Sequence, residues 1–246
     1  FHGSGSRKAK AMPEGCRCPG TGVILARVEP VRFATEDGVS LEGELRRPQG
    51  ETVGSAVLCH AHPRHGGSKD HPILWAVRNE LAQRGFLVLA FNFRGTMRSA
   101  GTYGGGRIEV SDVRAAISRA REEIEGPTVV CGWSFGANVA VREALDDDRV
   151  AALVVIGLPL EHDLDIPPMP SASELRTIDR PVLLLSGEND EYSPAGRLAE
   201  VQEALPRAEL AIVAGTDHYL WRHEKEAAAT VGEFAARVTG GRATGP

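Results

Sequence analysis

Thr128-Val129-Val130-Cys131 is a short β-branched run, Gly132-Trp133-Ser134-Phe135-Gly136 is a turn, and Ala137-Asn138-Val139-Ala140 opens a small-residue helix. A serine with a glycine two positions away on each side, a strand before it and a helix after it, restricts the fold sharply. The chain must pass from strand to helix within a few residues, which strains the serine backbone and lifts its hydroxyl clear of the sheet. Gly132 and Gly136 leave room for neighbouring backbone where a Cβ would clash. The following helix aims its N-terminal N–H groups at the serine, so negative charge developing there is favoured. The alternative is a serine in a glycine-rich turn with no chemistry, and the two flanking elements weigh against it.

Strands and helices alternate along the rest of the chain. Residues 31–35 and 39–45 predict a strand pair around the turn Glu36-Asp37-Gly38. Residues 54–60 and 86–91 are apolar runs too continuous for half-exposed strands, and belong centrally in a sheet. Between them Ile73, Leu74, Val77 and Leu81 recur at helical spacing over 72–84, with a stop at Gly85. A glycine-rich loop at 92–106 leads into a helix expected over 107–125, with Val110, Val113, Ile117 and Ile124 on one stripe. Further strands are expected at 128–131, 150–156, 181–186 and 209–213. Helices are expected from the serine turn to about 145, at 194–205 and at 222–238.

This alternation predicts an α/β fold: a mostly parallel central sheet with helices on both faces and an antiparallel N-terminal edge. One domain spans 21–246, with a short proline-rich flap at about 157–180. Residues 1–20 read as an unstructured segment. Phe1-His2-Gly3-Ser4-Gly5-Ser6 looks vector-derived, as far as residue 11, and Met12 is a plausible natural start. The strand at 209–213 could lie at a sheet edge and pair with a second subunit, and the oligomeric state is not readable.

A serine hydroxyl is a weak nucleophile until a base removes its proton. His218, in Gly215-Thr216-Asp217-His218, follows the last expected strand and can reach the serine from the C-terminal edge of the sheet. His60, His62 and His65 come too early for that role, and His71 reads as a helix-entry residue. The base needs an acid to hold its tautomer. Asp190, in Gly187-Glu188-Asn189-Asp190, follows the strand at 181–186, with Glu188, Glu191 and Asp217 as rivals. An oxyanion needs two N–H donors. Phe135, next after the serine, supplies one; the loop after the third strand supplies the other, from His62, with Arg64 second, since Pro63 has no N–H. Trp133, beside the serine, is expected to line the substrate site. His60, His62 and His65 would allow a metal by spacing, but no carboxylate cluster is fixed nearby, and no metal is expected.

Charge narrows the partners. Lys and Arg total 28 against 33 Asp and Glu, a net charge of −5, with no dense basic stripe for nucleic acid. No apolar run approaches the roughly 20 residues of a membrane helix, and no secretory signal is visible. Of the four cysteines, Cys59 and Cys131 fall at the ends of buried strands, and Cys16-x-Cys18 lacks a second ligand pair. Neither a disulfide framework nor a zinc site is expected, and a cytoplasmic location follows.

His60-Ala61-His62-Pro63-x-x-Gly66-Gly67, Phe91-Asn92-Phe93-Arg94-Gly95, Gly132-x-Ser134-x-Gly136, Gly187-x-x-Asp190 and Asp217-His218 together resemble the α/β-hydrolase superfamily over residues 31–240. Within it, the chain is similar to the small lidless bacterial hydrolases near the dienelactone-hydrolase group. The order Ser134, Asp190, His218 is the α/β-hydrolase order. The resemblance implies a Ser-His-Asp hydrolase acting on a small-molecule acyl substrate, an ester or related compound, with no cofactor. Two departures stand out. Arg94-Gly95-Thr96-Met97-Arg98-Ser99 lacks the common second glycine, and residues 157–180 are too few for a helical cap. A peptidase or amidase on the same three residues, a non-hydrolytic biosynthetic enzyme, and a ligand-binding protein on this fold all remain open.

Overall fold

The computed structural model describes residues 28–240. Its N-terminal edge is a hairpin of β1 (Val28–Ala34) and β2 (Ser40–Arg46), paired antiparallel. Gly38 takes the left-handed φ of 81° that the turn between them requires. In β2, Leu41, Gly43 and Leu45 face inward and their neighbours are half-buried, as period-2 alternation demands. The chain continues through β3 (Gly54–Cys59), α1 (Pro72–Gln83), β4 (Phe86–Phe91), α2 (Val110–Glu123), β5 (Thr128–Trp133) and α3 (Phe135–Asp146). Then follow β6 (Val150–Ile156), the single turn α4 (Ala172–Leu175), β7 (Val182–Gly187), α5 (Ala195–Ala204), β8 (Ala208–Val213) and α6 (Glu224–Thr239).

Among the described residues eight strands form one sheet, in the order β1-β2-β4-β3-β5-β6-β7-β8. β2 pairs antiparallel with β4, and the pairs from β4 through β8 are parallel. The expected α/β-hydrolase arrangement, a mostly parallel sheet with an antiparallel N-terminal edge, is what the chain forms. From β3 the chain first steps to β4 on one side and then to β5 on the other. Such a reversal opens a crevice at the carboxyl ends of the strands, where ligands bind in sheets of this kind.

Alternate residues of each strand serve opposite faces. On β4, Phe86, Val88 and Ala90 pack with Ile73, Leu74, Val77 and Leu81 of α1 and with Val231 and Phe234 of α6. Leu87, Leu89 and Phe91 pack with Val113, Ile117 and Ala120 of α2 and with α3. These strands are buried on both faces, and each Leu or Phe so placed stabilises the fold by about 1.5–3 kcal/mol. Cys59 and Cys131 are fully buried free thiols in this core. Among the described residues no helix is long and apolar enough to cross a membrane.

Three of the boundaries that differ from expectation have a local cause. α2 starts at Val110 rather than Arg107, because Gly105 and Gly106 are left-handed and the next bonds, Ser111 N to Ile108 O and Asp112 N to Glu109 O, are tight three-residue turns. α6 starts at Glu224 because Arg222 has φ 68°, which no helix accommodates. β5 runs on to Trp133, since Gly132 and Trp133 still pair with Val155 and Ile156 of β6. The segment 1–20, its Met12, and Cys16 and Cys18 lie outside the described residues.

Candidate active site

Ser134 stands between the end of β5 and the start of α3 with φ 55° and ψ −118°. Non-glycine residues avoid this backbone, so its surroundings must impose it. A Cβ on Gly132 would meet Gly136 O at 2.3 Å, and one on Gly136 would meet Cys59 O at 2.2 Å. The strand-to-helix turn therefore closes only with glycine at both places. Ser134 N–H donates to Ile156 O at 2.8 Å, which fixes the turn to β6.

The loops after β7 and β8 bring two further residues to the serine. His218 Nε2 lies 2.9 Å from Ser134 Oγ, and His218 Nδ1 lies 2.8 Å from Asp190 Oδ2. Asp190 Oδ2 also accepts from Ser186 Oγ at 2.9 Å, and Oδ1 accepts from the N–H groups of Tyr192 and Ser193. All three residues are under a tenth exposed. The network sets the imidazole tautomer: Nδ1 carries the proton toward Asp190, and the Nε2 lone pair faces the serine hydroxyl. The rival acids are engaged elsewhere or exposed. Glu188 accepts from Gly215 N–H, Asp217 accepts from Tyr219 N–H, and Glu191 is exposed.

The N–H groups of Phe135 and His62 donate to no protein acceptor among the described residues. The His62 ring lies 5.3 Å from the Phe135 ring and is tied by two hydrogen bonds. Its Nδ1 accepts from Arg64 N–H at 3.2 Å, so Nε2 carries the proton and donates to Tyr103 Oη at 2.9 Å; Tyr103 in turn donates to Asp165 O. Burial, then the nearby His65 and Arg64, lower the His62 pKa to about 4. Burial pushes the Tyr103 phenol up to about 12. A Cβ on Gly67 would meet Ala61 O at 2.0 Å, so the loop folds back on itself only with glycine there.

His60 has a role that sequence reasoning missed. Its Nδ1–H donates to Ala61 O at 2.6 Å, and its Nε2 accepts from Phe93 N–H at 3.0 Å. The ring thus ties the end of β3 to the loop after β4 and has no lone pair left for a metal. Burial holds its pKa at about 4. Arg94, buried in that loop, clasps Asp112 of α2 through Nε and Nη2 at 2.8 and 2.6 Å and reaches Asp37 in the hairpin turn at 2.8 Å. At the missing second glycine, Met97 adopts φ 51° and is 74% exposed. The motif keeps its left-handed turn without the residue type that favours it.

Trp133 departs from the expectation of a substrate-lining ring. It is 2% exposed, its indole N–H donates to His218 O at 3.2 Å, and His71 covers it with ring centroids 4.0 Å apart. It backs the histidine loop. His71 does sit at the entry of α1, where its Nδ1 accepts from Ile73 N–H. The segment after β6 is held down by Asn138 Nδ2, which donates to Pro167 O at 3.1 Å, and by Arg142, which donates to Pro168 O. Its only helix is the single turn α4. A groove of about 480 Å³ between β8 and α6, lined by Arg84, Leu210, Thr230 and Phe234 among others, includes none of Ser134, Asp190 and His218.

Comparison with known proteins agrees with this fold. An uncharacterized protein of Rickettsia prowazekii is 23% identical over 208 residues, which is 80% of this chain and 85% of the relative. An alpha-beta serine hydrolase homologue from Coxiella burnetii is 25% identical with a TM-score of 0.74, over 83% of this chain and 96% of that one. Two more structures share the fold at 22% identity. One is a lidless serine hydrolase from Xanthomonas campestris, with a TM-score of 0.74 over 92% of this chain and all of that one. The other is an esterase from Pyrococcus furiosus, with a TM-score of 0.75 over 86% of this chain and 91% of that one. The family model for the alpha/beta hydrolase domain matches residues 54–240, from the first strand of the parallel sheet through the closing helix. On that match, the chain belongs to the alpha/beta hydrolase family.

Proposed function

We propose that this hydrolase cleaves a carboxylic ester or thioester through an acyl-enzyme formed on Ser134. The observation that carries the reading is the unbroken contact Ser134 Oγ–His218–Asp190; the N–H groups of Phe135 and His62, without a protein acceptor among the described residues, are assigned to the oxyanion. As Ser134 Oγ bonds the acyl carbon, His218 Nε2 takes its proton, and Asp190 stabilises the imidazolium. The carbonyl oxygen becomes an oxyanion held by Phe135 and His62 N–H. His218 then protonates the leaving oxygen or sulfur as its bond to carbon breaks. Water, deprotonated by the same histidine, releases the acid.

The substrate is a small acyl compound, and this chemistry needs no cofactor. A cytoplasmic location belongs to the same reading, supported by the unpaired thiols of Cys59 and Cys131. Fluorophosphonate labelling of the wild type and of Ser134→Ala, run beside turnover of short p-nitrophenyl esters, tests the proposal. Labelling and turnover that both vanish in the variant are expected. A wild type that neither labels nor turns over esters would leave the fold serving as a binding protein.

A further inference from the structure

Exposed aromatic rings run outward from His218. The Tyr219 ring lies 5.7 Å from His218 at 86°, and Trp221 stacks on Tyr219 at 6.0 Å and 16°. His71 stands behind, 5.6 Å from Trp221, and Trp133 lies 6.2 Å from Tyr219. Tyr219 and Trp221 are 43% and 49% exposed. Large rings are more often turned inward, and such a cluster at the rim of a site marks a contact surface.

The backbone presents these rings under strain. Leu220 has φ 55° and Arg222 has φ 68°, neither of them glycine. Leu220, between the two exposed rings, is 1% exposed and packs into the core beside α1 and α6. The loop is thus turned so that one residue anchors it and its two neighbours display their faces. Left-handed backbone of this kind persists where surrounding structure enforces it, and it gathers at ligand clamps.

The chemistry tells which part of a substrate these rings would meet. His218 Nε2 gives its proton to the leaving atom, so the leaving group departs within hydrogen-bond reach of that nitrogen. The acyl part stays on Ser134, with its oxygen toward Phe135 and His62. A surface that begins at His218 therefore faces the leaving group. We propose that Tyr219 and Trp221 form a leaving-group subsite that selects planar aromatic alcohols or thiols. The inference rests on the serine-hydrolase reading of Ser134, and adds its specificity.

Phenyl butyrate and hexafluoroisopropyl butyrate test it, because they share an acyl group and have leaving groups of similar acidity. Trp221→Ala is expected to lower kcat/KM for phenyl butyrate about tenfold. Turnover of the fluoroalkyl ester and hydrolysis of the butyryl-enzyme should not change. Free phenol should inhibit the wild type and lose about tenfold in potency against the variant, and Trp221→Phe should restore most of the preference. Equal losses on both esters, no loss on either, or slower butyryl-enzyme hydrolysis would each overturn the subsite. A wild type that turns over neither ester and forms no butyryl-enzyme would overturn the hydrolase reading and the subsite with it.

Discussion

Gly157 lies against His218: a β-carbon built on it would stand 3.0 Å from Cε1 and 3.1 Å from Nδ1, with Asp190 Oδ2 at 3.3 Å. Its φ of 53° also disfavours any side chain. Gly157→Ala is expected to displace the imidazole by a few tenths of an ångström and to lower kcat by roughly 10–100-fold, since catalysis depends steeply on alignment. Circular dichroism should show the fold retained. An unchanged kcat would show that the imidazole has room to spare.

Asp190→Asn keeps the shape of the carboxylate and removes its charge. With an amide facing Nδ1, the histidine is held in the wrong tautomer, and kcat should fall about 10⁴-fold. The residue should remain ordered through Tyr192 and Ser193 N–H. Comparable activity in the variant would remove Asp190 from the mechanism and return Glu188 and Asp217 to consideration.

Arg94 is 3% exposed and Asp112 is wholly buried. Arg94→Ala would leave a buried carboxylate without its counter-charge, so a loss of roughly 3–5 kcal/mol in urea unfolding is expected. Replacing both residues with apolar side chains should recover much of it. A loss below about 1 kcal/mol in the single variant would mean water reaches Asp112.

His60 fixes the sign of an acid response. Burial lowers its pKa to about 4, against about 6.5 in the unfolded chain. Between these values the unfolded chain binds a proton that the folded chain does not. Its contribution is complete above pH 6.5 and is lost as the pH falls toward 4, with a limit on the order of 3 kcal/mol. His62 and His71, both lowered to about 4 by burial, act in the same direction. Urea midpoints from pH 7.5 to 4 should decline, and His60→Gln should flatten the slope. Parallel slopes for the two proteins would contradict the buried neutral ring.

Met97→Gly offers the opposite kind of change. The side chain is 74% exposed and the backbone is left-handed. Glycine relieves a conformation that is unfavourable for L-residues by about 1–2 kcal/mol, partly offset by its freer unfolded state. A net gain of about 1 kcal/mol in stability is expected from thermal unfolding. A loss would show that the Met97 side chain makes a stabilising contact.

The sheet and the serine turn were legible because their signals are local. A β-branched run, two glycines and a small-residue helix stand side by side in residues 128–140. Asp190 and His218 could be placed because each follows a strand, and parallel strands deliver such loops to one edge. Other features depend on partners remote in sequence. His60 meets Phe93, Arg94 meets Asp37 and Asp112, and Gly157 meets His218. No periodicity announces these pairs. For Trp133, adjacency to a serine says nothing about which side of the sheet the ring takes; alternation along β5 sends it toward α1 and His71.

The hairpin of β1 and β2 lies outside the matched family region, which begins at Gly54. Yet Glu42 accepts from Asn92 Nδ2 and from Arg98 N–H, Ala100 N–H donates to Ser40 O, and Arg94 grips Asp37. The loop that holds His60 is therefore itself held by the hairpin. Among the described residues β1, like β8 at the other edge, pairs with one strand, so local opening of the hairpin is expected at a free energy well below that of global unfolding. Amide exchange would follow that path inward, through the hairpin to the 92–100 loop and then to Phe93. Opening of the antiparallel end is thus expected to loosen the serine's surroundings with it.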